Sequence, residues 1–140
     1  EIDAAVLADR VKITGQVDHA QALAAMRNAA LLLLVANTTP GAEATVPGKL
    51  YEYLAIGRPI LGIAPADSST ADVLERAHAG WLARADDVDH VACTLRQAFA
   101  AHRAGHGPLA DPEAVASFDR RRLAGVLAHI FDEVRAAHRL

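Results

Sequence analysis

A single cysteine, Cys93, leaves no partner for an internal disulfide, and the chain reads as one that works in a reducing compartment, the cytoplasm. Cys93 itself reads as core packing. Aromatic residues make up only 4% of the chain, with Trp81 the one tryptophan, expected to pack at a sheet edge. Alanine and leucine must therefore supply most of the apolar volume, which favours helices laid on a sheet of small residues. The longest uninterrupted apolar run, 29–36, is far too short to cross a bilayer, and no signal-peptide pattern opens the chain. The formal charge is −3 and the basic residues are dispersed, so nucleic acid is not expected as a partner. No G-x-G-x-x-G follows a strand and no P-loop lysine motif is present, which disfavours a dinucleotide enzyme or a simple NTPase.

What is present describes one soluble α/β domain. The 140 residues suffice to bury a real core, and 52% hydrophobic with 22% charged residues is an ordinary globular balance. The chain begins at Glu1 rather than methionine, so it is expected to be a piece of something longer, 1–140 forming one partial domain. Residues 3–8 read as the tail of a helix, and 11–14 as a short strand closed by Gly15. Asp18 is the N-cap of a helix over 19–28. The run 31–35 reads as a strand buried on both faces.

A long loop, 37–46, then enters a helix over 47–56 that stops at Gly57, followed by a strand over 59–63. Asp67, Ser68, Ser69 and Thr70 read as helix capping for 71–77, and 80–82 as a short strand. A helix follows from Asp87 or Val88 to His102, with Val88, Val91, Cys93, Leu95 and Phe99 as apolar positions. Residues 104–112 are the one linker-like stretch. A final helix over about 114–138 carries Phe118, Leu123, Val126, Leu127, Ile130 and Val134 at close to helical period. Alternating strands and helices of these lengths imply a Rossmann-like parallel sheet with helices on both faces.

In such sheets ligands bind beyond the carboxyl ends of the strands, so the loops 15–17, 37–46 and 64–69 matter most. The second is long for this kind of connection and delivers Thr45, Val46 and Gly48 to a helix start, where free N–H groups and the helix dipole favour an anion. One turn of that helix carries both a cation, Lys49, and a carboxylate, Glu52. The combination suits a phosphate and a ribose. The same spacing also fits a plain surface ion pair worth a few tenths of a kcal/mol. His102 and His106 have a spacing seen in metal sites, but Gly105 and Gly107 interrupt the helix and no acidic partner is in register, so they read as solvated surface. The Arg120-Arg121-Arg122 run likewise reads as a solvated face.

Three stretches carry a resemblance: Val11-Lys12-Ile13-Thr14-Gly15-Gln16-Val17, the run 29–35, and Pro47-x-Lys49-Leu50-x-Glu52-Tyr53-Leu54-Ala55-x-Gly57-x-Pro59-Ile60-Leu61. Together they resemble the C-terminal, donor-binding half of group 1 (family 4-like) retaining glycosyltransferases of the GT-B fold, closely over about 1–83. The resemblance implies transfer of a sugar from a nucleotide-sugar donor such as a UDP or GDP sugar, with retention of anomeric configuration, and no required metal or other cofactor. It places Glu52 on the ribose hydroxyls and the amides around Thr45, Val46 and Gly48, with Gly15 and the Lys49 charge, on the donor nucleotide. The acceptor would be bound by an N-terminal domain outside this chain, so transfer is not expected from this piece alone; peripheral membrane contact belongs to the full enzyme.

The departures from the family pattern are specific. A paired glutamate near the donor sugar would stand at Ala44, and Glu43, one residue off, is the candidate to replace it. The usual basic pair lies on a first strand–helix unit that this chain does not contain. That unit would sit between the strand matching 11–14 and the one matching 31–35, so the piece is expected either to rearrange its strand order or to borrow contacts from another chain by self-association. Two other readings stand beside this one: a non-catalytic Rossmann-like interaction domain, and a nucleotide-sugar epimerase-like domain, which lacks the expected histidine and arginine constellation here.

Overall fold

The computed structural model describes residues 10–138, so the helix expected over 3–8 lies outside the described residues. Helix α1 (His19–Asn28) leads into strand β1 (Leu32–Val35). Then come α2 (Gly48–Ile56), β2 (Ile60–Ala64), α3 (Ser69–Arg76), β3 (Gly80–Arg84), α4 (Val88–Arg103), α5 (Pro112–Ala116) and α6 (Arg120–Ala137). The three strands form one parallel sheet in the order β1-β2-β3, with Leu32 opposite Ile60 and Ile60 opposite Gly80. The architecture is α/β and fits a Rossmann-like fold.

The local chemistry that starts and stops these elements is plain. Asp18 accepts from the Gln21 amide at 2.8 Å while the Gln21 side chain reaches back to the Asp18 amide, a capping box that satisfies two of the amides at the start of α1. Gly57 ends α2 in the left-handed region, φ 72°, where its N–H returns to the carbonyls of Tyr53 and Leu54. Ser68 caps α3, its Oγ accepting from the Ala71 amide at 3.2 Å and donating to the Pro65 carbonyl at 2.7 Å.

Helices cover both faces of the sheet. Leu32, Leu34 and Ile60 turn to the face where Leu50 and Leu54 of α2 and Val73 and Leu74 of α3 complete the core. Gly62 belongs to this face, because a Cβ there would stand 2.8 Å from Leu74 Cδ2. The other face carries Leu61 and Ala83 beneath α4, whose Thr94 and Ala98 are buried against it. α4 packs over β2 and β3 and leaves β1 uncovered on that side. Leu33 and Val35 are accordingly 55% and 64% exposed, so β1 is buried on one face and not on both as its apolar run suggests.

Four further expectations are corrected. Residues 11–14 form no strand; Ile13 is 85% exposed, and with no ladder partner among the described residues such a segment has nothing to hold it extended. The sheet therefore holds no empty middle, and β1 is its edge. The helix expected over 114–138 is two helices, because Asp119 accepts from the amides of Arg121 and Arg122 and starts a new one. Phe118, just before that cap, instead turns to the core, 5.7 Å from the Tyr51 ring and beneath the Arg76 guanidinium. Cys93 is exposed on α4, one residue and so about 100° away from the buried Thr94. Val88, Leu95 and Phe99 of the same helix are exposed as well. Trp81 is half-buried on β3, an edge strand, as expected.

Candidate functional site

The connections leaving the carboxyl ends of the three strands enclose a cleft of about 630 Å³. Thr38 follows β1, Pro65, Ala66 and Asp67 follow β2, and Arg84, Ala85 and Asp86 end and follow β3. The long loop after β1 is held by its own hydrogen bonds. The Asn37 side chain accepts from the Thr39 amide at 3.0 Å, and successive turns close from Ala42 to Thr39 and from Thr45 to Ala42. Its far end is tied to α3: the Glu43 carbonyl accepts from the Ser69 amide at 2.8 Å, and the Thr45 carbonyl from the Thr70 hydroxyl at 3.2 Å. These bonds, with the Ser68 cap, occupy most of the donors at the start of α3.

The start of α2 is different. Its N-cap, Pro47, offers no capping side chain, and the first turn closes only through the Leu50 amide onto the Pro47 carbonyl. The Gly48 and Lys49 amides have no acceptor among the described residues. Both residues are exposed, and a Cβ added at Gly48 would meet no atom within 4 Å. Two N–H groups at the positive end of a helix dipole thus face open space. Lys49 and Glu52 are both exposed on this helix, and no salt bridge joins them or takes either of them among the described residues. The plain ion-pair reading of their spacing is not what the structure contains.

The sequence-derived site residues are thus partly assembled. Val46 is half-buried against the core and sets the loop that precedes the helix, while Thr45 and Glu43 have exposed side chains and anchor through their carbonyls. Gly48, Lys49 and Glu52 share the first turns of α2. Gly15 stands in an exposed loop at φ 67° with no atom within 4 Å of its Cβ position, away from any wall of the cleft. Among the described residues no group of three histidines, cysteines or carboxylates has metal-site geometry, and His102 and His106 lie exposed on either side of the end of α4.

Arg84 and Asp86 were not legible as site residues. Arg84 Nε donates to Asp86 Oδ1 at 3.1 Å and Nη2 to Oδ2 at 2.9 Å, a bidentate fork in the wall of the cleft. That hydrogen bond, with the adjacent positive charge, holds the Asp86 carboxyl below the usual carboxylate range and raises the Arg84 guanidinium. The signal was strand length: β3 runs two residues beyond Leu82, and that extension brings Arg84 to the ligand-facing end.

A second concavity, about 450 Å³, lies at the opposite ends of the strands. Leu31, Pro59, Trp81, Leu95 and Phe99 give it an apolar lining, and Arg58, His102 and His106 stand at it. Its surplus of apolar wall comes from the uncovered part of the second face. The free amides of α2 lie outside this concavity, and none of Glu43, Thr45, Val46, Gly48, Lys49 and Glu52 lines the cleft at the carboxyl ends of the strands.

No protein-family model, no curated protein and no solved structure matches the chain. No helix among the described residues is long and apolar enough to cross a membrane.

Proposed function

We propose that the chain is the nucleotide-sugar donor-binding part of a retaining glycosyltransferase, acting in the cytoplasm on a separate acceptor. One observation carries the reading: among the described residues the amino end of α2 leaves the Gly48 and Lys49 amides unclaimed, with Lys49 and Glu52 exposed and in no salt bridge beside them. The chain resembles the glycosyltransferase family in this same segment.

In this reading the two amides, the helix dipole and the Lys49 ammonium receive the diphosphate, and the Glu52 carboxylate accepts hydrogen bonds from the ribose hydroxyls. Breaking the bond between the sugar's anomeric carbon and the diphosphate leaves negative charge on the departing nucleotide. Fixed donors aimed at that charge do the work that a metal does in other transferases. The acceptor oxygen attacks the anomeric carbon from the face the diphosphate leaves and passes its proton to the departing diphosphate oxygen. Glu43, one residue before Ala44, is the carboxylate that would attend the sugar in this reading. The acceptor-binding half lies outside this chain, so the piece binds donor without transferring it.

Titration with UDP, GDP and ADP, followed by calorimetry or by amide shifts, tests the reading. At least one nucleotide binds, with shifts at Gly48 and Lys49, and Glu52→Ala weakens it tenfold or more, since a hydrogen bond to a charged group contributes about 1.5–3 kcal/mol. Unchanged affinity in Glu52→Ala removes the ribose assignment. No binding by any of the three favours the interaction-domain reading, which the uncovered apolar surfaces on β1, α4 and α6 also support.

A further inference from the structure

α6 is an 18-residue helix without a single buried residue. Leu123, Val126, Leu127, Ile130, Phe131 and Val134 are each between 46% and 63% exposed. At 100° per residue these six fall within an arc of about 140°, a full apolar face on a helix about 27 Å long. A helix of this length draws most of its stability from packing such a face, and Gly125 within it lowers its intrinsic propensity.

We infer that this face is a homodimer interface, in which α6 packs antiparallel against α6 of a second copy of the chain. In that direction the apolar pattern is self-complementary. With the two-fold axis beside residues 128 and 129, Leu123 lies beside Val134 of the second copy, Val126 beside Ile130, and Leu127 beside Phe131. Between Leu123 and Val134 no polar side chain falls within the apolar arc; Arg120 lies on it only at the end of the helix.

The charges agree with the same alignment. In an antiparallel pair each flank of one helix meets the same flank of the other. Arg122 and Glu133 lie within about 20° of each other around α6, on one flank. The alignment sets Arg122 about 3 Å along the axis from Glu133 of the second copy, within reach of an ion pair. Two-fold symmetry makes this contact twice. Among the described residues of one copy Glu133 forms a salt bridge only with His129, at 3.2 Å and with both side chains exposed, a partner that holds it weakly unless the imidazole is protonated. A parallel pair would instead bring opposite flanks together and leave Arg122 and Glu133 of the two copies on different sides of the seam.

The area sets the strength. Six half-exposed side chains offer on the order of 500 Å² per copy, at the top of the range of apolar patch that an ordinary monomer leaves bare. Two such faces bury on the order of 1,000 Å², the lower limit of a specific interface, so the dimer forms in a concentration-dependent way. The candidate nucleotide site on α2 is not part of this seam, and association is independent of nucleotide.

Sedimentation of the full chain across a concentration series tests the inference. The expected result is a monomer–dimer equilibrium in which Arg122→Glu and Glu133→Arg each weaken association about tenfold and the double variant returns it to within about threefold of wild type. Because both positions are exposed, the fold survives either change. In a Cys93→Ser background, oxidising a mixture of the L123C and V134C chains gives a cross-linked dimer, whereas each chain alone gives none, since its own two sulfurs stand about 16 Å apart along the axis. A monomer at every concentration, a double variant that fails to recover, or cross-linking of like with like would each overturn the antiparallel dimer.

Discussion

Gly80→Ala tests the closest approach in the fold. A Cβ at Gly80 would stand 1.7 Å from the Ile60 carbonyl oxygen, 2.6 Å from its carbon and 2.7 Å from its nitrogen. All three atoms are backbone of the neighbouring strand, in direct register with Gly80, so no side chain can swing away to make room. Ordinary contact begins near 3.4 Å, and β2 and β3 must therefore part by well over an ångström at this point. The hydrogen bond from the Ile60 amide to the Ala79 carbonyl, now 3.0 Å, lies at the same spot. Overpacking of this kind costs about 1–3 kcal/mol, and leaving a buried amide unpaired costs about 1–3 more. The entropy that alanine removes from the unfolded chain offsets only about 0.4–1 kcal/mol. A net loss of about 1–5.6 kcal/mol is a large share of the roughly 5–15 kcal/mol that holds an ordinary domain together. Urea unfolding followed by Trp81 fluorescence reads it directly, because Trp81 is the next residue and half-buried. Gly125→Ala is the control, a helical position with open space around it, where the change stabilises by up to about 1 kcal/mol. All variants are compared at one protein concentration, since self-association would add its own stabilisation. If Gly80→Ala unfolds at the wild-type midpoint, the close approach of β2 and β3 at Ile60 is wrong.

Three further outcomes follow from the geometry. Leu50→Ala, at a side chain with no exposure in the centre of the α2 contact, lowers stability by about 2–5 kcal/mol in the same unfolding assay; a loss below 1 kcal/mol would mean that α2 does not pack as described. Asp86 titrates below the ordinary aspartate value because Arg84 donates to its charged form. Its small contribution to stability is therefore present above the ordinary value and lost as the pH falls through the depressed one. Carboxyl NMR shifts check this, with Arg84→Gln returning Asp86 to the ordinary value; an unmoved midpoint would remove the fork in solution. Asp18→Ala lowers stability by about 1 kcal/mol through loss of the capping box on α1, and an equally stable variant would show that this first turn is not held by its cap.

Local signals carried most of the element assignments. Asp18 and Ser68 are short-range caps, and Gly57 marks a left-handed stop, so each is decided within a few residues of chain. Asp119 is a signal of the same kind, and Phe118 before it falls about 150° from the centre of the apolar face of α6, so the apolar stripe itself breaks at that cap. The candidate site was legible where it is local, at Gly48, Lys49 and Glu52 on one helix. Thr38 and Asp67 fall in the loops 37–46 and 64–69 expected at the ligand-facing end of the sheet, whereas Arg84 was hidden, because it joins their cleft only through the register of β3 on β2.

From composition and periodicity alone the chain is an α/β domain with an alanine- and leucine-rich core, and no helix of the span that a membrane demands. Those properties are sums over residues and repeat distances, which need no knowledge of partners. What each apolar segment packs against was decided only by the tertiary arrangement. The run 31–35 is apolar throughout, yet α4 lies over β2 and β3, so Leu33 and Val35 face outward. Residues 11–14 alternate as a strand should, yet have no ladder to join. α6 carries a complete apolar face and buries none of it within the chain. Burial belongs to pairs of surfaces, and one strand of sequence specifies only one member of each pair.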